Sequence, residues 1–249
     1  MRAFQKFLER TERKVQSLQG KGFGTDSLAA EVRSVQSFLP TESAVVFDVG
    51  ANKGLWTREL LKQVGSQIAE VHAFEPSRHN FSAFEGVGDS RVNLVKSALG
   101  AKIGTALLHY DRPGSGLASL SKRGLAYRHI HMDSSEEVDV TTLDAYVEQR
   151  KIGRIDFAKF DIEGHELDAL RGAEYVISSG VLRALSFEFG GANIDTRTFF
   201  KDFFELLVPL GFEFFRINPW RNPTPVVEYR ESLEVFTTTN YIASRRVVI

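Results

Sequence analysis

The chain has 249 residues, no cysteine, and 31 Lys and Arg against 32 Asp and Glu, for a formal net charge of −1. That length can bury a large core, the balanced charge implies no global attraction to nucleic acid or anionic lipid, and the missing cysteines exclude a disulfide framework, a thiolate zinc site and cysteine nucleophilic catalysis. No stretch approaches the roughly 20 apolar residues that span a bilayer, Met1 to Val15 lacks the apolar region of a secretory signal, and a cytoplasmic location is expected.

Residues 3 to 18 show helical spacing of Phe4, Phe7, Leu8, Val15 and Leu18, with basic residues between them. Gly20-Lys21-Gly22-Phe23-Gly24 breaks this helix. Asp26 or Ser27 is placed to cap a second one running to Leu39 before Pro40. Residues 1–40 thus read as a helical appendage, whose basic bias marks a solvated face or a contact with an acidic partner. Residues 41–249 form the main domain.

There the pattern alternates. Ala44 to Phe47 is a short β-branched and aromatic strand, and Leu55 to Lys62 a helix. Ile68 to Phe74 is a second strand, stopped by Pro76, followed by a helix over Ser77 to Glu85 and a strand over Val92 to Val95. Thr105 to Tyr110 reads as an extra strand, and Pro113 to Leu120 as a loop rich in Gly and Ser. Glu137 to Thr142 is a strand, Leu143 to Gln149 a helix, Arg154 to Phe160 a fourth core strand, Glu166 to Ser178 a helix, and Leu182 to Glu188 a fifth strand. A helix over Thr198 to Val208 with four phenylalanines precedes a final antiparallel pair, Phe212 to Ile217 and Glu234 to Thr239. The alternation predicts an α/β, doubly wound, mostly parallel sheet with helices on both faces.

Asp48-Val49-Gly50-Ala51-Asn52-Lys53-Gly54 joins the first strand to the first helix of that sheet. Such a turn holds nucleotide-like ligands, because glycine lets the backbone approach closely. A carboxylate at Asp48 would repel a pyrophosphate on the helix N-terminus, but it suits S-adenosylmethionine, which carries a sulfonium and an ammonium. Glu75, at the carboxyl end of the second strand, stands where an acid can accept from ribose hydroxyls. Asp161 and Glu188 close two further strands. Four carboxylates along one rim repel one another unless a cationic cofactor, a metal or an acid–base role offsets the crowding. A divalent ion on Asp161 and Glu188 is one such option. His72, His79, His109, His129 and His131 lack regular metal-ligand spacing.

The ordered segments Val46 to Gly54, Phe74-Glu75-Pro76, Ser97-Ala98-Leu99-Gly100, Val140 to Asp144, Ile155 to Glu166 and Leu170 to Ala173 resemble those of FkbM-type methyltransferases across about residues 44–190. The resemblance implies a class I, Rossmann-like methyltransferase fold with a seven-stranded sheet, S-adenosylmethionine as cofactor, and O-methylation of a hydroxyl on a sugar, glycan or natural-product acceptor. It sets Gly50 and Gly54 against the cofactor, Asp48 near its methionine amino group, Asn52 at the methionine end, Glu75 at the ribose, and Ser97 and Ala98 at the adenine. It sets Asp161 beside the transferring methyl, with Glu163, His165 and Glu188 rimming the acceptor pocket. Ser115 and Ser119 could touch the acceptor or belong to a linker.

Methyl transfer to an alkyl hydroxyl needs a general base within about 2.6–3.2 Å of the oxygen. His165 is a candidate because histidine titrates near neutral pH, with Asp161 or Glu188 as substitutes. A non-catalytic binding module, a nicotinamide oxidoreductase and an RNA or protein methyltransferase are the alternatives. Asp48 and the missing third glycine oppose a dinucleotide, and the neutral charge opposes RNA. The partner expected is a small-molecule or glycan acceptor, and Lys122-Arg123 and Arg128-His129 leave room for an anionic one, such as a nucleotide-linked sugar or a carrier-bound chain.

Overall fold

The computed structural model describes residues 2–23, 28–220 and 222–245, so Gly24 and the expected caps Asp26 and Ser27 lie outside the described residues. The first half contains α1 (Arg2–Leu18), α2 (Leu28–Gln36), β1 (Ala44–Val49), α3 (Leu55–Val64), β2 (Ile68–Phe74), α4 (Phe81–Glu85), β3 (Val92–Val95), β4 (Ala98–Leu99) and β5 (Gly104–Tyr110). The second half contains β6 (Ser134–Thr141), α5 (Leu143–Arg150), β7 (Phe157–Phe160), α6 (Glu166–Arg171), α7 (Glu174–Ser178), β8 (Ala184–Phe189), α8 (Gly191–Thr196), α9 (Phe200–Leu207), β9 (Glu213–Arg216), β10 (Thr224–Val226) and β11 (Thr239–Ser244).

The main sheet runs β10-β9-β11-β8-β7-β1-β2-β3. The strands β3, β2, β1, β7 and β8 are parallel, and β11 enters antiparallel between β8 and β9. This is the expected doubly wound layout with one strand more than the seven anticipated, a three-residue edge strand, β10. A separate sheet, β4-β6-β5, lies beyond the end of β3.

Strand alternation divides the core. Phe47, Val49, Ala158, Phe160, Phe187 and Phe189 pack with α5, α6, α7 and α9 on one face. Val46, Phe157, Ala184 and Ile242 pack with α2 and α3 on the other, joined by Val32 and Val35 of α2. By the same alternation Asp48, Lys159, Glu188 and Asn240 emerge on the α2–α3 face, close to the carboxyl ends of the parallel strands.

Several elements differ from the sequence reading. Residues 166–178 form two helices, because Gly172 meets the Gly100 carbonyl so closely that a Cβ would overlap it. Asp144 then accepts from the N–H groups of Tyr175 and Val176, both at 2.9 Å, and starts α7. The last strand is Thr239–Ser244 and not Glu234–Thr239. Glu234 instead accepts from the N–H groups of Phe200 (2.9 Å) and Lys201 (3.0 Å) at the start of α9. Finally, β4, α8 and β10 are short elements that periodicity does not reveal.

Candidate active site

Two cavities open at the carboxyl rim of the sheet and share one wall, made of Gly50, Asn52, Gly116, Asp161 and Glu163. The first encloses about 770 Å³ and is lined by Glu75, Asn80, Ser97, Ala98, Ser119 and His165 among others. The second encloses about 790 Å³ and is lined by Glu31, Lys53, Trp56, Lys159, Glu188 and Asn240. Both figures include space open to solvent.

The shared wall depends on Gly50. Its φ of +85° is left-handed, and a Cβ there would overlap the Asp161 carbonyl oxygen. The turn after β1 therefore packs directly on the turn after β7. Glu75 ties the first cavity together: it accepts from the Asn52 N–H (2.7 Å), the Ser77 N–H (2.8 Å) and Asn80 Nδ2 (3.1 Å). Burial raises its pKa, against the pull of these donors. Asn80 Oδ1 is buried at the same cavity without a hydrogen-bond partner. An acceptor left unpaired at a cavity wall fits a ligand with hydroxyl or amino donors.

The loop over the first cavity is fixed, not a free linker. Ser119 Oγ donates to the Glu163 carbonyl (2.9 Å), and Asn52 Nδ2 donates to the Ser115 carbonyl (3.3 Å). Ser115 and Ser119 are both buried. His165 lines this cavity between two side chains, with Nε2 2.9 Å from Ser121 Oγ and Nδ1 3.4 Å from Asp168.

The second cavity is built around a buried cation. Lys159 Nζ lies 2.8 Å from Asp161 and 3.9 Å from Asp48, and 5.8 Å from the centre of the Trp56 ring. Burial opposes its charge, but Asp161, Asp48 and Glu31 outweigh that and raise its pKa. Around it, burial pushes Glu31 up to about 7, with Lys159 pulling it back. Burial also pushes Glu163 up to about 8, aided by Asp161 and opposed by Arg123, with which it forms an ion pair. Glu188 is raised well above the usual carboxylate range, by burial first and then by Asp161 and Glu163.

Several expectations are corrected. Asp48 lines neither cavity: it is fully buried one layer below, accepting from Thr57 Oγ1 at 2.6 Å, because its place in β1 turns it onto α3. Gly54 also lines neither cavity, although its neighbours Lys53 and Leu55 line the second; a Cβ there would point at Phe84 and Val87. The expected single acceptor pocket is divided, with His165 in the first cavity, Glu188 in the second and Glu163 in the wall between them. Arg123 is buried against Glu163 and Asp195 (3.5 Å), so it is no surface cation for an anionic acceptor. Among the described residues no group of three or more His, Cys, Asp and Glu is disposed to hold a metal ion.

Sequence reasoning missed Glu31, Lys159, Ser121 and Asp168. Only Lys159 carried a signal of its own, a lysine inside an otherwise apolar buried strand.

A family model described as the methyltransferase FkbM domain matches residues 48–214. The fold is similar to that of methyltransferase FkbM from Methylobacillus flagellatus KT, with 18% identity and a TM-score of 0.51, over 81% of this chain and 44% of that one. The chain therefore spans less than half the length of that relative. Two further solved structures match less well. A precorrin 8w decarboxylase from Methanobacterium thermoautotrophicum has 17% identity and a TM-score of 0.41, over 86% of this chain and 89% of that one. An rRNA methylase from Streptococcus thermophilus has 14% identity and a TM-score of 0.43, over 88% and 92%. No curated protein matches the sequence. With two-thirds of its length under one family model, and with the turns after β1, β2 and β7 meeting at one rim, the chain belongs to the FkbM methyltransferase family.

Proposed function

We propose that this chain is an S-adenosylmethionine-dependent methyltransferase that acts on a hydroxyl of a sugar, glycan or natural-product acceptor. The observation that carries the reading is the pair of cavities meeting at one wall. A donor and an acceptor seated on either side of Asp161 would be brought together there, and alignment of that kind supplies much of the acceleration of a displacement.

The first cavity suits the nucleoside end, with Glu75 and the unpaired Asn80 Oδ1 for ribose hydroxyls and Ser97 and Ala98 beside the base. The second suits the cationic methionine end, because Glu31, Asp161, Glu163 and Glu188 outnumber Lys53 and Lys159, and the acceptor hydroxyl would enter at the shared wall, beside Glu163 and facing His165 of the first cavity. Bound in this way, the cofactor supplies an already activated methyl carbon. The residues then have two tasks: to hold the acceptor oxygen in line, and to take its proton. Asp168 at Nδ1 favours the tautomer in which Nε2 of His165 accepts, at present from the Ser121 hydroxyl, and an acceptor hydroxyl that took the place of Ser121 would make His165 the base in this reading. Glu163 is the second candidate, because it borders both cavities and its pKa of about 8 is near neutrality.

Calorimetric titration with S-adenosylmethionine, S-adenosylhomocysteine and NAD tests the cofactor. The first two should bind and the third should not. A cationic ligand lowers the raised carboxyl pKa values around it, so binding of the methyl donor at pH 7 should release protons, seen as a heat that depends on the buffer. Asp161→Ala and His165→Ala should abolish turnover in a methyl-release screen over glycosides and nucleotide sugars, while donor binding survives at least in part. Retained turnover in His165→Ala, with loss in Glu163→Gln, would assign the proton to Glu163. Failure to bind either donor form would overturn the reading.

A further inference from the structure

The helix α1 presents an apolar stripe that no other described element covers. Phe4, Phe7, Leu8, Val15 and Leu18 are 66%, 62%, 43%, 48% and 47% exposed. At 3.6 residues per turn these side chains fall within an arc of roughly 100°, the width of a face that normally packs on something. Apart from Ala3 the rest of the helix sequence is polar, and its charge has one sign in excess: Arg2, Lys6, Arg10, Arg13 and Lys14 against Glu9 and Glu12. In a chain of net charge −1 this is a local basic segment, not a general property.

The end of α1 is tied to the rim that holds the cavities. Trp220 Nε1 donates to the Leu18 carbonyl (3.0 Å), Arg216 Nε to the Gln19 carbonyl (2.6 Å), and the Gly22 N–H to Thr239 Oγ1 (3.1 Å). Thr239 opens β11, next to Asn240 of the second cavity, and Asn240 pairs with Glu188. Exposed apolar side chains recur on segments that leave the carboxyl ends of three strands of the main sheet: Leu55 after β1, Ile194 after β8 and Trp220 after β9.

We propose that α1 lies flat on an anionic phospholipid surface, with its phenylalanines and leucines in the headgroup–acyl boundary and its basic side chains among the lipid phosphates. A helix with an apolar face, low overall hydrophobicity and a basic polar face is suited to that position and not to spanning the bilayer. Charge complementarity selects this partner. A second copy would bring like-charged helices together, and a nucleic acid would leave the apolar stripe uncovered. The proposal rests on α1 and not on the reading of the cavities, and its test reads membrane binding instead of turnover.

The test is co-sedimentation of the full chain with vesicles of phosphatidylcholine alone and of phosphatidylcholine with about a quarter phosphatidylglycerol. The chain should bind the anionic vesicles at least about tenfold more strongly, and added salt should weaken that binding. The double variant Phe4→Ser, Phe7→Ser should lose it. Lys6→Glu with Arg10→Glu should reduce it about thirtyfold or more. All four positions are exposed, so the circular dichroism and melting temperature of both variants should match those of the unchanged chain and confirm folding. No preference for anionic vesicles would overturn the proposal, as would equal binding by the Phe4→Ser, Phe7→Ser variant. Sedimentation equilibrium showing a dimer that this variant dissolves would also overturn it, by assigning the stripe to a second copy.

Discussion

Glu166 shows how a single buried carboxyl supports the shared wall. It is 1% exposed, and its Oε1 accepts from the N–H groups of Ile162 (3.0 Å) and Gly164 (3.2 Å), fixing the turn that carries Asp161 and Glu163. Burial pushes its pKa up from 4.5 to about 7, against the pull of those N–H groups. The folded state therefore holds the proton more tightly than the unfolded chain does. Its stabilising contribution is complete below about pH 4.5 and is lost as pH rises through about 7. Glu166→Gln keeps an acceptor for both N–H groups and removes the titration. Urea denaturation at pH 5 and pH 8 should show the unchanged chain losing, between the two, on the order of 1–3 kcal/mol more than the variant. Parallel losses would mean that Glu166 is ionised throughout. The same environment acts on Asp48: burial raises its pKa too, and its carboxyl faces Lys159 and Thr57 within the fold.

Among the elements, α7 depends most on one side chain. Asp144 sits at the start of α5, yet both its carboxylate oxygens accept from N–H groups of α7, and its own N–H donates to the Gly172 carbonyl at 3.1 Å. Asp144→Ala should cost about 1–2 kcal/mol in chemical denaturation, the cost of a lost helix cap, and leave donor affinity unchanged. A loss within about 0.5 kcal/mol, the noise of a surface change, would mean that packing alone starts α7. This bond also shows where sequence stops being informative. The strands β1, β2 and β3 were legible because each is a short apolar run bounded by turn residues, and Gly50, Glu75, Asp161 and Glu163 because the strand ends place them. The break at Gly172 depends on the Gly100 carbonyl, 72 positions earlier, and β11 is buried along all six residues, so it shows no alternation. Glu31, Ser121 and Asp168 enter the site through tertiary contacts alone, and their local sequence gives no sign of it.

On the scale of the whole molecule, the question is where the folding unit begins. The change from helical to alternating pattern suggests a boundary near residue 40. The packing puts the boundary earlier, between α1 and α2. No described side chain of α1 is buried, whereas Val32 and Val35 of α2 are fully buried against Trp56, Leu60 and Val64. Leu28 and Glu31 of the same helix line the second cavity. We propose that the unit that folds alone begins after α1 and includes α2. Each buried valine is worth about 1.5–3 kcal/mol, and removing α2 would also uncover the apolar face of α3. Against a total stability of about 5–15 kcal/mol, that loss is severe. A chain starting at Gln19 should melt within about 4 °C of the full chain, and one starting at Thr41 should melt about 10–20 °C lower or fail to fold. Scanning calorimetry of the three chains decides between the boundaries. Equal melting for all three would show that α2 is peripheral, and that Glu31 borders the cavity without the core depending on its helix.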